Sequence, residues 1–191
     1  MGLTPQRDPV FAVCTHGRHD TCCAERGRPV AAGLSAVHAE STWEVSHIGG
    51  DRFAANLLVL PDGLYYGRLD PAAAVGVADA HLGGRVELEH LRGRSGMAMS
   101  LQAAEIELRR YLNEERLGAV RFVSRRVEGS LDSPEGHLTE AVFDVDFEGG
   151  AQQYAVGVRS RNGADRFRLT CKATHDDPIA RHEVHDIRRL S

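Results

Sequence analysis

The chain has 191 residues, with 23 basic against 27 acidic side chains for a formal charge of −4, and 42% of its residues are hydrophobic. That length and balance suit one compact domain or a small domain with an appendage, and they exclude a disordered polymer or a fibre. No basic run calls for nucleic acid and no apolar stretch reaches the roughly 18 to 20 residues that span a bilayer, so a cytoplasmic protein with neither as partner is expected.

Pro9 to Val13 is apolar and β-prone and leads through Cys14 into the polar loop CTHGRHD. Cys22 to Ala39 has helical spacing, with Val30, Leu34 and Val37 on one face. Pro29 inside it predicts either a helix that starts there or a kink. Thr42 to Ser46 reads as a strand stopped by Gly49-Gly50, and Ala55 to Leu60 and Leu64 to Leu69 read as a hairpin across PDG. Ala72 to Leu82 predicts a helix ending at Gly83-Gly84, and Val86 to Leu91 a strand ahead of the loop RGRSG. In Ser100 to Arg116, Leu101, Ala104, Leu108, Tyr111 and Leu112 share a helical face, with the Glu105 and Arg109 pair at its edge. After Gly118 the period becomes two. Val120 to Val127, Leu138 to Phe147, Gln153 to Arg159 and Arg166 to Ala173 read as strands, with turns at SPEG, EGG and RNG. The remainder reads as a polar tail. The fold class is α/β, or α+β over the whole chain: a β-α-β-β-β unit with its following helix over residues 1–84, then an α+β portion over 85–191 that belongs to the same compact unit or stands beside it.

Three of the four cysteines, Cys14, Cys22 and Cys23, fall within ten residues, a clustering that in a cytosolic chain points to metal or redox chemistry before a disulfide framework. A right-handed β-α-β unit brings Cys14, the helix start at Cys22-Cys23 and His47 to one sheet edge, with Asp51 four residues further as a possible fourth donor. A helix amino terminus should favour the thiolates. Two thiolates and an imidazole suit zinc or an iron-sulfur cluster, not magnesium or calcium. The eight residues between Cys14 and Cys23 exceed a tight zinc knuckle and leave room for a two-iron cluster.

CTHGRHDTCCAERGRP followed by WEVSHIGGDRFAANLLVLPDGLYYGRL resembles the sucrase/ferredoxin-like family, closely from Pro9 to Leu69 and more weakly through LRGRSG and the next helix. The resemblance implies a thioredoxin-like ferredoxin domain holding a [2Fe-2S] cluster and acting as an electron carrier or redox sensor, not as an enzyme, with an unidentified redox partner. The "sucrase" of the name is no guide to activity, since no paired glycosidase carboxylates are evident. The cluster ligands it implies, C-x8-C and H-x3-H, fall on Cys14, Cys23, His47 and Asp51. Asp51 departs from the pattern, standing where other members have a second histidine, and Cys22, His16 or His19 are alternative fourth ligands. A single imidazole ligand implies a potential between those of all-cysteine and Rieske-type centres, and one that varies with pH.

Two other functions fit the same residues: a structural zinc in that pocket, or a thiol oxidoreductase using Cys22 and Cys23. The second lacks the C-x-x-C of thioredoxin-like enzymes. Cys171 alternates with Phe167 and Leu169 and is expected in the core; His175, His182 and His185 lack the H-E-x-x-H spacing and are expected in solvent. Arg92 and Arg94 are expected on an exposed loop, and Trp43 in the core or near the cluster.

Overall fold

The computed structural model describes residues 8–18, 20–133 and 135–190. Its first sheet has the order β2-β1-β3-β4-β5, from β1 (Val10–Cys14), β2 (Thr42–Val45), β3 (Asn56–Leu60), β4 (Leu64–Gly67) and β5 (Leu91–Arg94). β1 and β2 are parallel, as the crossover through α1 (Thr21–Val37) requires, and the other pairs are antiparallel. The expected β-α-β-β-β order is therefore present.

Pro29 lies inside α1, which is one continuous helix. Pro29 and Glu25, whose carbonyl loses its helical donor to the proline, are both exposed, so water can take that carbonyl. Val30, Ala31 and Leu34 turn inward, whereas Val37 faces solvent. α2 (Pro71–Leu82) starts with proline at its first position and Asp70 accepting from the Ala73 amide at 2.8 Å. Phe11, Val13, Leu57, Val59, Leu64 and Tyr66 form a core with Val30 and Leu34 of α1 and Val77 of α2.

Three expectations shift here. The strand expected at Val86 to Leu91 is displaced to Leu91–Arg94, inside the sequence read as a loop. There Leu91 and Gly93 are buried and Arg92 and Arg94, expected on an exposed loop, are half-buried on a strand, and β4 pairs with it through a bulge. The first sheet therefore extends to Arg94. α3 (Met99–Leu112) stops earlier than Arg116 because Asn113 takes a left-handed conformation, φ 50°. Glu105 and Arg109, expected at a helix edge, are 2% and 0% exposed. α3 is covered on two sides, by β5 and by the second sheet, so its polar pair is sealed in.

The second sheet is an antiparallel meander of β6 (Val120–Gly129), β7 (His137–Phe147), β8 (Gly150–Phe167) and β9 (Asp177–Arg189). Phe143, Val145, Val156 and Val158 bury one face against Leu101, Ala104 and Leu108 of α3. β8 runs straight through RNG, where a turn was expected, and the polar tail is a full strand. A sequence such as RHEVHDIRR can form an edge strand because its charges pair across the ladder, Arg161 with Glu183 at 3.3 Å and Arg188 with Glu140 at 2.5 Å. The strand expected from Arg166 to Ala173 survives only at its first two residues. Phe167 and Leu169 are partly exposed and Cys171 lies on the surface, in the connection to β9.

Candidate metal centre

Cys14 ends β1, and Cys22 and Cys23 occupy the first turn of α1, so the crossover returns all three thiols to one end of the sheet. The helix can approach that closely only at glycine: a Cβ on Gly27 would lie 2.0 Å from the Cys14 carbonyl oxygen. Opposite, Gly49 and Gly50 take φ of 86° and 69° and turn the chain after β2 into a short 3-10 turn, Asp51–Phe53. Tyr65 Oη donates to the Gly49 carbonyl at 2.5 Å and Asn56 Nδ2 to that of Gly50 at 2.9 Å, which fixes the corner and buries Asp51.

The structure brings Cys14, Cys23, His47 and Asp51 together. Cys23 Sγ lies 3.2 Å from Asp51 Oδ1, His47 Nδ1 lies 3.3 Å from the same oxygen, and Cys14 packs on Cys23. Cys14 and Cys23 are each 1% exposed, whereas the His47 side chain is 40% exposed. Cys22 touches the site from the side, its Sγ 3.8 Å from the Asp51 carbonyl oxygen. His16 lies in the loop after β1, and His19 falls outside the described residues.

A second donor group adjoins the first. Asp20, Cys22 and Cys171 place their ligand atoms within 4.8 Å of one another. Asp20 precedes α1 but does not cap it; its Oδ1 accepts instead from the backbone amides of Cys171 at 2.8 Å and Lys172 at 3.2 Å, and from the Cys171 thiol. All four cysteines therefore gather at one end of the first sheet, the fourth delivered by the loop between β8 and β9. Sequence reasoning assigned Cys171 to the core and passed over Asp20. The available signal was an aspartate at a helix start followed, after Thr21, by two cysteines, in a chain whose fourth cysteine lies in a polar stretch.

Expected thiolates at the helix start are corrected. Burial pushes the Cys22 thiol up to about 11, with Cys171 and Asp20 adding to it. Burial likewise raises Cys23, with Asp51 and Cys14 reinforcing it. Desolvation and nearby acids outweigh the helix dipole, so protein charges alone leave these thiols neutral. Burial also pushes Asp20 up, but its donors at Cys171 and Lys172 outweigh that and hold the carboxyl below its ordinary range.

The donor chemistry fits a soft or borderline cation: two buried thiols and an imidazole around a buried carboxylate. Asp51 serves equally well as a fourth ligand or as the acceptor that orients His47. Trp43 is 59% exposed on β2. His175 pairs with Asp177 at 3.4 Å, His182 with Ser160 at 2.8 Å, and His185 packs against Gly157, so these three do not form a metal site among the described residues.

Residues 3–93 match the family model described as sucrase/ferredoxin-like. Among solved structures, the chain is similar to a thioredoxin-like [2Fe-2S] ferredoxin from Aquifex aeolicus, at 19% identity over 47% of this chain and 97% of that one, with a TM-score of 0.40. A cysteine-to-serine variant of that ferredoxin aligns at 16% identity over 46% of this chain and 100% of its own, also with a TM-score of 0.40. Comparison with curated proteins gives no match. Among the described residues, no helix is long and apolar enough to cross a membrane.

Proposed function

We propose that this chain is a one-electron carrier or redox sensor that holds a [2Fe-2S] cluster on Cys14, Cys23, His47 and a fourth donor, Asp51. The match of residues 3–93 to a sucrase/ferredoxin-like model supports the reading. The observation that carries it is the convergence of Cys23 and His47 on one buried carboxylate oxygen, at 3.2 and 3.3 Å, with Cys14 behind them. These four do not form a group within 4.8 Å of one another, as donors to a single ion would. A two-iron cluster divides its ligands between two metals and has no such requirement.

When bound, the cluster supplies reversible uptake of one electron at a potential set by its ligands. The protein does the rest. Cys14 and Cys23 hold the inner side away from water, and His47 forms the outer side, where its 40% exposed ring is open to a partner. The corner locked by Tyr65 and Asn56 keeps His47 and Asp51 at fixed spacing across a change of charge.

Anaerobic purification with iron and acid-labile sulfide assays tests this directly. About two irons and two sulfides per chain are expected, lost in Cys14→Ser and Cys23→Ser and disturbed in His47→Ala. Comparison of the spectra of Asp51→Ala and Cys22→Ser distinguishes these two as fourth ligand. A protein that stays colourless and sulfide-free after reconstitution would overturn the reading.

The close approach of Asp20, Cys22 and Cys171 favours a second reading, a single structural zinc at that end of the sheet. One zinc per chain without sulfide, lost in Cys171→Ser but kept in Cys14→Ser, would establish it.

A further inference from the structure

Next to the Gly49-Gly50 corner, whose Ile48 and Gly50 form part of its lining, β5 and α3 border a cavity of about 610 Å³, within the range of roughly 300–1,000 Å³ typical of small-molecule sites. Its lining includes the apolar Leu91 and Ile106 and the charged Arg52, Arg92, Arg110 and Glu107, with His182 contributed by β9.

Protein charge balances the cationic lining only at Arg110, which pairs with Glu107 at 2.6 Å; Arg52 and Arg92 have no such partner among the described residues. The Cζ atoms of Arg52, Arg92 and Arg68 stand 4.5, 5.0 and 5.5 Å from the centroid of a single ring, Phe53. None of the three is in an ion pair among the described residues. Of the acids nearby, Glu107 lies in the lining itself, while Glu87 pairs with His90 at 3.1 Å and acts on Arg92 only through space. One aromatic face attracts a guanidinium only modestly and cannot offset the mutual repulsion of three. Two buried nitrogens of this lining, Arg92 Nε and His182 Nε2, have no hydrogen-bond partner among the described residues. The His182 ring is nonetheless fixed, through Nδ1 to the Ser160 hydroxyl at 2.8 Å. Arg94, two residues from Arg92, shows the contrast: it is used internally, bonding Glu105 at 3.3 Å and the Asp62 carbonyl at 3.0 Å.

We propose that this cavity binds an organic phosphate monoester of mononucleotide size, its phosphate held by Arg52, Arg92, Arg110 and His182 and its planar body laid against Leu91 and Ile106. A phosphate monoester carries close to two negative charges and three acceptor oxygens, and guanidiniums bind it in bidentate fashion. The cavity exceeds what a bare inorganic anion fills, and its apolar lining residues give the rest of such a molecule a surface to cover. The proposal uses none of the cluster ligands, so it stands or falls independently of the cluster.

Isothermal titration of the full chain with adenosine monophosphate and with flavin mononucleotide tests it, with adenosine, riboflavin and inorganic phosphate as controls. At least one nucleotide binds at one per chain, and its phosphate-free counterpart and inorganic phosphate each bind at least about tenfold more weakly. Arg92→Gln and His182→Gln each weaken that nucleotide about tenfold or more. Ala103→Trp, which fills the cavity without changing a charge, abolishes binding while the unfolding midpoint is kept; it decides the matter if a charge variant does not fold. No binding at millimolar nucleotide, equal binding of nucleoside and nucleotide, equal binding of inorganic phosphate, or undiminished binding to Ala103→Trp would each overturn the proposal.

Discussion

The two sheets treat polar side chains in opposite ways. The first keeps short strands with apolar interiors and confines its chemistry to one end, where Asp20, Asp51, Cys14 and Cys23 are all buried. The second is a long meander whose outer surface carries paired charges, and β6 buries only Val120. Yet the second sheet supplies Cys171 to the cysteine end and His182 to the arginine cavity. The motif-bearing half brings Cys14, Cys23, His47 and Asp51 together, and a meander with no motif of its own adds Cys171 beside them.

If burial is what separates the two regions, polar substitutions should be costly where charge is sealed in and nearly silent on the meander. Arg109 lies between them, fully buried, with Nε 3.0 Å from Glu105 and its Nη atoms donating to the carbonyls of Glu114, Arg116 and Leu117. Arg109→Ala leaves Glu105 and those carbonyls uncompensated and should lower stability by about 3–5 kcal/mol in urea denaturation. Gly27→Ala drives a methyl into the Cys14 carbonyl and should cost about 1–3 kcal/mol, with iron content falling alongside because the end of β1 must move. Asp20→Asn keeps the shape but weakens its acceptor for the Cys171 loop; a loss near 1 kcal/mol is expected, with faster hydrogen exchange at the Cys171 and Lys172 amides.

A pH measurement probes the same distinction. Burial lowers the pKa of His81, against the opposing pull of Asp62, so the folded state keeps the ring neutral where the unfolded chain protonates it. Its contribution is intact above the ordinary value of 6.5 and is lost as pH falls from there through the lower folded value. His81→Gln should flatten that part of the stability profile. Smallest of all, Arg121→Gln removes an exposed pair with Asp146 and should leave the unfolding midpoint unchanged, since exposed pairs are screened by water and salt.

What the sequence by itself determined was local. Hydrophobic period and glycine and proline placement mark α1, α2, most of α3, β1 to β4 and β6 to β8, because each follows from spacing along one segment. The β-α-β crossover also brings Cys14, Cys22, Cys23, His47 and Asp51 to one end, since its handedness leaves little choice. Only the tertiary structure decided the rest. Arg109 is buried because a second sheet covers α3, and LRGR and RHEVHDIRR are strands because β4 and β8 offer them partners. Cys171 reaches Asp20 across 151 residues of sequence through the loop that joins β8 to β9. Spacing within a segment constrains which face a residue takes, but what lies opposite that face is set by pairing between distant segments, and no local pattern encodes it.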